Sequence, residues 1–151
     1  MTVLDAYAVL AYLRGEEAMS EVQILLRKPT AMCAANLSEV IDQLVRVDHV
    51  EPDEARVGLA VLVRSGLTVV AVSPEIALLA GELRARHHDR RTCDVSLADC
   101  LAAATALTLR RPLATADPAL ARVCLGKRGA LHPLPDTAGR RPPWPGAELH
   151  P

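Results

Sequence analysis

TVLDAYAVLAYL, residues 2–13, passes from a short β-branched run directly into an apolar segment with helical spacing. The same order of strand and helix recurs along the chain. It predicts buried strands at Thr2–Leu4, Thr30–Ala34, Leu67–Val72 and Leu113–Thr115, and helices at Ala6–Arg14, Glu17–Arg27, Leu37–Val47, Pro52–Arg64, Pro74–His87 and Leu97–Arg110. Because parallel neighbours need long crossovers, we expect an α/β fold with a mostly parallel central sheet of four or five strands and helices on both faces.

Composition narrows the class of protein. The chain has 151 residues, which suits one domain. With 50% hydrophobic and 23% charged residues it is too apolar for a disordered chain, and it has no apolar run long enough to span a membrane. The aromatic content is only 2%, so nucleic-acid binding by base stacking is not expected. The net charge of −1 argues against a strongly basic surface over the whole protein but is compatible with a local basic groove.

The cysteines and the first 14 residues indicate the cellular compartment of the protein. None of the four cysteines forms a Cys-x-x-Cys pair, so buried free thiols are expected rather than a zinc site; they are Cys33, Cys93, Cys100 and Cys124. Residues 1–14 lack a basic region followed by a long apolar stretch, which argues against a secretory signal. The expected location is therefore the cytoplasm.

The last residues look different from the rest. Six prolines fall within residues 131–151 and forbid a continuous helix. The sequence thus predicts a domain over residues 1–130 and a Pro-rich tail over 131–151. Trp144 offers an alternative, in which the tail docks onto the domain or onto a partner.

Four acidic residues stand at strand ends or in first helical turns. Asp5 follows the first predicted strand, Glu39 follows the second, and Asp117 follows the last. Asp99 is the one charged residue in an otherwise apolar predicted helix, which indicates that the helix is buried. Because the carboxyl ends of parallel strands meet at one sheet edge, we expect these four side chains to converge there.

Two interpretations of these acids remain open. Each position also suits a helix cap, since Asn36-x-x-Glu39 and Ser96-x-x-Asp99 resemble capping boxes and Asp117 precedes a proline. Several carboxylates in one pocket repel each other unless a cation lies among them. Oxygen ligands without a set of histidines suit Mg²⁺ or Mn²⁺.

Four segments in this order carry a family resemblance. They are VLDAYAVLAYL at 3–13, NLSEV at 36–40, LADCLAAATA at 97–106 and TAD at 115–117. Together they resemble PIN-domain ribonucleases, specifically the toxins of VapBC-type toxin–antitoxin pairs, over roughly residues 1–125. The resemblance implies a PIN-like fold and a bacterial endoribonuclease dependent on Mg²⁺ or Mn²⁺. It also implies that Asp5, Glu39 and Asp99 hold the metal while Asp117 completes or orients the site.

The resemblance has one departure and leaves a second interpretation. The family commonly has Ser or Thr two residues after the first Asp, where this chain has Tyr7. That difference motivates the alternative of a catalytically weak PIN-like module that binds protein or RNA. A phospho-receiver and an Asp-x-Asp phosphohydrolase are disfavoured, because Asp5 lacks an acidic neighbour and Tyr7 stands where the second acid belongs.

Partners follow from the same reasoning. A basic run near the end of the fifth predicted helix is expected to contact RNA phosphates beside the acids; it comprises Arg84, Arg86, Arg90 and Arg91. The helix at Pro52–Arg64 is more apolar than one buried face requires. We therefore expect a VapB-like antitoxin to cover this helix and Ala6–Arg14, with a homodimer as the other use of the surface.

Overall fold

The computed structural model describes residues 1–142, and these residues build one five-stranded sheet in which every pairing is parallel. The strand order is β3-β2-β1-β4-β5. The strands are β1 Thr2–Leu4, β2 Thr30–Cys33, β3 Leu67–Val70, β4 Leu113–Thr115 and β5 Leu131–Pro133. The predicted α/β class and parallel sheet are confirmed.

Helices connect the strands. They are α1 Ala6–Arg14, α2 Met19–Leu26, α3 Ala34–Asp42, α4 Pro52–Arg64, α5 Pro74–His87, α6 Leu97–Leu109 and α7 Pro118–Gly126, and a π-helical turn, Gln43–Val47, extends α3. No helix within residues 1–142 combines the length and apolar character needed to cross a membrane.

Two apolar cores lie on opposite faces of the sheet. Alternate residues of one strand face opposite sides, so Leu4 packs into one core while Val3 packs into the other. The first core is formed mainly with α1, α2, α3 and α4, and the second with α5, α6 and α7. All four cysteines are free thiols and buried, as expected.

The structure corrects three expectations about local structure. β2 stops at Cys33 and α3 begins at Ala34, three residues earlier than predicted. Asp117 caps a helix as its sequence context suggested, but this helix, α7, was not among those predicted. The segment from Leu131, expected as the start of a tail, forms strand β5. A proline is tolerated in β5 because this strand lies at the sheet edge and pairs only with β4.

Residues after β5 are also packed onto the domain. Leu134 is fully buried, and its backbone N–H donates to the Thr115 carbonyl at 2.9 Å. The Arg141 guanidinium binds the Glu21 carboxylate and donates to the Pro133 carbonyl at 2.7 Å. The predicted role of Trp144 lies outside the described residues.

Gly129 allows a close approach that a larger residue would block. A Cβ at this position would lie 2.5 Å from the Cys124 Sγ atom and 2.8 Å from the Cys124 carbonyl oxygen. We expect Gly129→Ala to lower the free energy of unfolding by about 1–3 kcal/mol, because the backbone must shift to relieve the overlap.

Urea denaturation measures this effect. Gly81→Ala is the matched control, since Gly81 lies within α5 with nothing within 4 Å of its Cβ position. This variant should gain about 0.5–1 kcal/mol from the better helix propensity of alanine. Equal stability of Gly129→Ala and the wild type would show that the backbone of this turn can shift without a loss of stability.

Candidate functional site

The sheet order places Asp5 at the point where the chain reverses its direction of winding. β1 lies at the centre, with β2 on one side and β4 on the other, and Asp5 follows β1 directly. In open parallel sheets the crevice at such a point is where ligands bind. Asp5 is only 4% exposed, and its Oδ1 atom accepts a hydrogen bond from the Ala8 backbone N–H at 2.8 Å.

Asp99 and Asp117 reach the same crevice from the N-terminal ends of two helices. Asp99 closes a capping box at α6, where its Oδ2 atom accepts from the Ser96 backbone N–H at 2.7 Å. Asp117 caps α7 by accepting from the Ala119 and Leu120 backbone N–H groups. Each cap occupies one carboxylate oxygen, so the second oxygen of each group can accept from a ligand.

Glu39 reaches the crevice from α3, and the capping box expected there is not formed. Because α3 begins at Ala34, Asn36 lies inside the helix instead of capping it. Its buried Nδ2 atom donates to the Ala98 carbonyl at 3.1 Å and lies 3.5 Å from the Glu39 Oε2 atom. Asn36 therefore ties α3 to the first turn of α6 and orients Glu39.

These four acids line one open cleft of ≈ 390 Å³ at the carboxyl edge of the sheet, which we call the acidic cleft. The other lining residues are Ala6, Tyr7, Ser96, Ala116 and Asp136. No lysine, arginine or histidine of the described chain lines the acidic cleft. The N-termini of α1, α6 and α7, which Asp5, Asp99 and Asp117 cap, offset part of its negative charge.

Burial and mutual repulsion change the acidity of the cleft. Burial, with a smaller contribution from the charges of Asp99 and Asp117, raises the pKa of Asp5 from 3.8 to about 7, against the lowering effect of hydrogen bonds from Thr115 and Ala8. Burial also raises the pKa of Glu39 and of Asp117, and the Asp99 charge adds to both shifts. The acids thus interact electrostatically as one group, and a bound cation would relieve their repulsion.

The donor set fits a hard divalent cation by its chemistry. Carboxylate oxygens without a set of histidines are the ligands that Mg²⁺ and Mn²⁺ prefer. Within residues 1–142, however, no three His, Cys, Asp or Glu side chains are gathered into a ready-made binding site for one ion. Binding would therefore draw the carboxylates together from the positions that the helix caps and the Asn36 contact give them.

Asp136 is a residue of this cleft that was not predicted from the sequence. It follows β5, and its carboxylate accepts from the Arg140 backbone N–H at 2.8 Å and from the Arg140 Nε atom at 2.9 Å, and these hydrogen bonds lower its pKa. The Tyr7 hydroxyl donates to the Pro135 carbonyl at 2.8 Å and holds this segment at the cleft. The sequence would have pointed to Asp136 only if β5 had been recognised in the Pro-rich region, because Asp136 follows this strand at the same sheet edge as the other acids.

None of the four arginines expected to contact RNA lines the acidic cleft. Arg84 lines a groove with Ser96 and Leu97, next to the acidic cleft, and its Nε atom is buried without a hydrogen-bond partner among the described residues. Arg86 is exposed near the end of α5. Arg90 and Arg91 are exposed in a turn that Asp89 stabilises by accepting from the Arg91 backbone N–H.

Comparisons with known proteins agree with this architecture. A family model described as PIN domain matches residues 2–125. A comparison with curated protein sequences finds no match. Among solved structures, DNA-bound VapBC from Salmonella typhimurium is similar with a TM-score of 0.66 and 17% identity, covering 87% of this chain and 96% of that one.

Two further structures are similar to the same extent. VapBC2 from Rickettsia felis, bound to a DNA fragment from its promoter, has a TM-score of 0.65 and 17% identity, with 87% of this chain and 96% of that chain covered. VapC20 from Mycobacterium tuberculosis, a Sarcin-Ricin loop cleaving toxin, has a TM-score of 0.65 and 18% identity, with coverages of 81% and 94%.

Proposed function

Since the chain belongs to the PIN-domain family, whose members are nucleases, we propose that it is a divalent-metal-dependent endoribonuclease and the toxin of a toxin–antitoxin pair. The observation that carries the proposal is the acidic cleft, where four carboxylates from separate parts of the chain meet at the sheet's switch point with no cation among the lining residues. The three acids that cap helices would not need to share one crevice with Glu39.

Asp5, Asp99, Glu39 and Asp117 would hold the metal. PIN nucleases generally use divalent metals, and such an ion lowers the pKa of a bound water and offsets charge on the phosphate during an in-line displacement. The chain's own contribution is positioning. The caps at α1, α6 and α7 place three carboxylates at the cleft, and Asn36 orients the fourth.

The direct test is cleavage of RNA by the purified full chain with Mg²⁺, with Mn²⁺ and with EDTA. We expect cleavage only with the metals, together with calorimetric uptake of Mn²⁺ and a rise in melting temperature, because a ligand that binds only the folded state stabilises it. Absence of both uptake and thermal shift at millimolar Mn²⁺ would favour the interpretation of the acids as caps. Metal uptake without RNA cleavage would favour the catalytically weak module.

An antitoxin partner is proposed for the face formed by α3 and α4. Val57, Val61 and Val63 on α4 are 62%, 48% and 42% exposed, which a helix packed on a single core would avoid. Beside them lies an apolar groove of ≈ 390 Å³ lined mainly by Leu37, Ile41, Leu59, Ala60 and Val63. Most of α1 is buried, so α4 offers more surface to a partner than α1 does.

We expect a basic side chain of the antitoxin to enter the acidic cleft and to compete with the metal. Each would then weaken the other's binding by the same factor, since coupling between two ligands is reciprocal. Titration of the complex with Mn²⁺ measures this factor. If the affinity of the complex changes neither with Mn²⁺ nor with substitution of the partner's basic residues, the antitoxin does not occlude the cleft. Self-association of the chain through α4 would indicate the homodimer instead.

A further inference from the structure

A second cleft lies at the opposite edge of the sheet, and its charge is reversed. It has a volume of ≈ 300 Å³ and is lined by Arg110, Arg111, Lys127 and Arg128 around a floor that includes Gly129. Arg110 and Arg111 precede β4, while the other residues precede β5. We call it the basic cleft. All four of its cationic side chains belong to exposed residues, and no acidic residue lines it.

The cations of the basic cleft are free to bind an anion. Within residues 1–142 none of the four forms an ion pair with a carboxylate, whereas Arg14, Arg46 and Arg141 all do. Four neighbouring positive charges with no acid among them repel one another. An anion bound between them would relieve that repulsion in the same way that a cation would at the acidic cleft.

The backbone holds two of these cations in turns that would suit glycine better. Arg110 has a φ of 53° and Arg128 a φ of 58°, both in the left-handed region. Residues with a Cβ adopt this region less easily than glycine does. The two turns at the ends of α6 and α7 therefore carry arginine where glycine would fit with less strain.

Two helices join the clefts. α6 begins near Asp99 and α7 begins after Asp117 in the acidic cleft, and both end at the basic cleft. The 13 residues of α6 give a separation of about 20 Å. A nucleic-acid strand can bridge this distance, while a mononucleotide cannot.

We propose that the basic cleft binds the phosphate backbone of single-stranded RNA outside the acidic cleft. Arginine recognises phosphate with a pair of parallel hydrogen bonds, and such interactions position a strand without reading its bases. A protein segment is the less favoured ligand, because none of the exposed large apolar side chains among the described residues lines this cleft to anchor it. The inference rests on the proposed function for its choice of RNA.

The test measures binding of RNA by the full chain in EDTA, using fluorescence anisotropy with one short oligonucleotide and one long enough to reach both clefts. The variant is Arg111→Gln combined with Lys127→Gln, since neither residue has left-handed backbone. We expect it to bind both RNAs about tenfold more weakly and to lower the salt slope by about 0.7 for each phosphate that is no longer neutralised, because without a metal ion the carboxylates of the acidic cleft do not attract phosphate. Arg56→Gln is the control, because this exposed cation pairs with Asp53 and lines neither cleft.

The outcomes separate the two proposals. Unchanged affinity for the long RNA in the double variant overturns the inference, even if the chain cleaves RNA. A decrease in stability without a decrease in affinity would also overturn it, since the cations would then serve only the helix C-termini. Poly-glutamate that displaces the long RNA with the same salt slope would assign the cleft to an acidic protein segment. RNA affinity that depends on the basic cleft supports the inference even where the chain fails to cleave.

Discussion

Asp99→Asn is expected to lower the rate of metal-dependent RNA cleavage at least about a hundredfold while leaving the fold intact. The amide keeps the size of the side chain and can still accept the hydrogen bond from the Ser96 backbone N–H, so the first turn of α6 is retained. It removes one negative charge from the acidic cleft. We therefore expect this variant to stay folded while it loses cleavage activity.

The measurement is single-turnover cleavage of RNA with Mn²⁺, accompanied by urea denaturation of the same preparation. Glu75→Gln is the control, because it removes one exposed negative charge in the first turn of α5, outside the acidic cleft. It should cleave as the wild type does. A folded Asp99→Asn protein with wild-type activity would show that Asp99 is only a helix cap.

The metal-free protein should become less stable as the pH rises from about 4 to about 7. The folded-state pKa of Asp5 is about 7, above its ordinary value of 3.8. The folded state therefore binds more protons than the unfolded state in this interval, and the free energy of unfolding falls as the pH rises. Each unit of pKa difference corresponds to about 1.4 kcal/mol, so the decrease is on the order of a few kcal/mol.

Urea denaturation in EDTA at pH 5 and pH 8 tests this. Asp5→Asn should abolish much of the difference and should be more stable than the wild type at pH 8, because it cannot ionise. Asp53→Asn should change nothing, since the Asp53 side chain is 94% exposed. Carboxyl groups with a lowered pKa, such as Asp136, affect the pH dependence of stability only below about pH 4. Equal stability of the wild type at both pH values would show that Asp5 ionises in the folded state as it does in water.

Local pattern sufficed for much of the fold. Runs of apolar residues and helix caps were enough to predict β1 and β4 and the helices α1, α4, α5 and α6. These signals depend only on residues that are close in sequence. α5 begins after the Ser73 cap with proline at its first position, and α6 begins with the capping box of Ser96 and Asp99, both as the residue types predict.

Long-range pairing decided what local pattern could not predict. β5 is three residues long and contains a proline, so no local signal distinguishes it from a loop; it becomes a strand because β4 offers it an edge. Docking of the residues after β5 then brings Asp136 to the acidic cleft, where Tyr7 binds the Pro135 carbonyl. Asn36 inside α3 likewise binds the Ala98 carbonyl on α6, 62 residues away, and this long-range contact cannot be predicted from the local sequence.

The sequence by itself determined which residues are acidic and that each stands at a strand end or a helix start. It could therefore predict a carboxyl-edge site formed by Asp5, Glu39, Asp99 and Asp117, a role that remains a prediction. Only the tertiary structure decided how deeply each carboxylate is buried and which charges neighbour it, and hence the raised pKa of Asp5. The basic cleft likewise exists only because β4 and β5 are neighbours, so that cations from two separate turns of the chain share one surface. Desolvation and Coulomb energy depend on distances in space, which the order of residues does not contain.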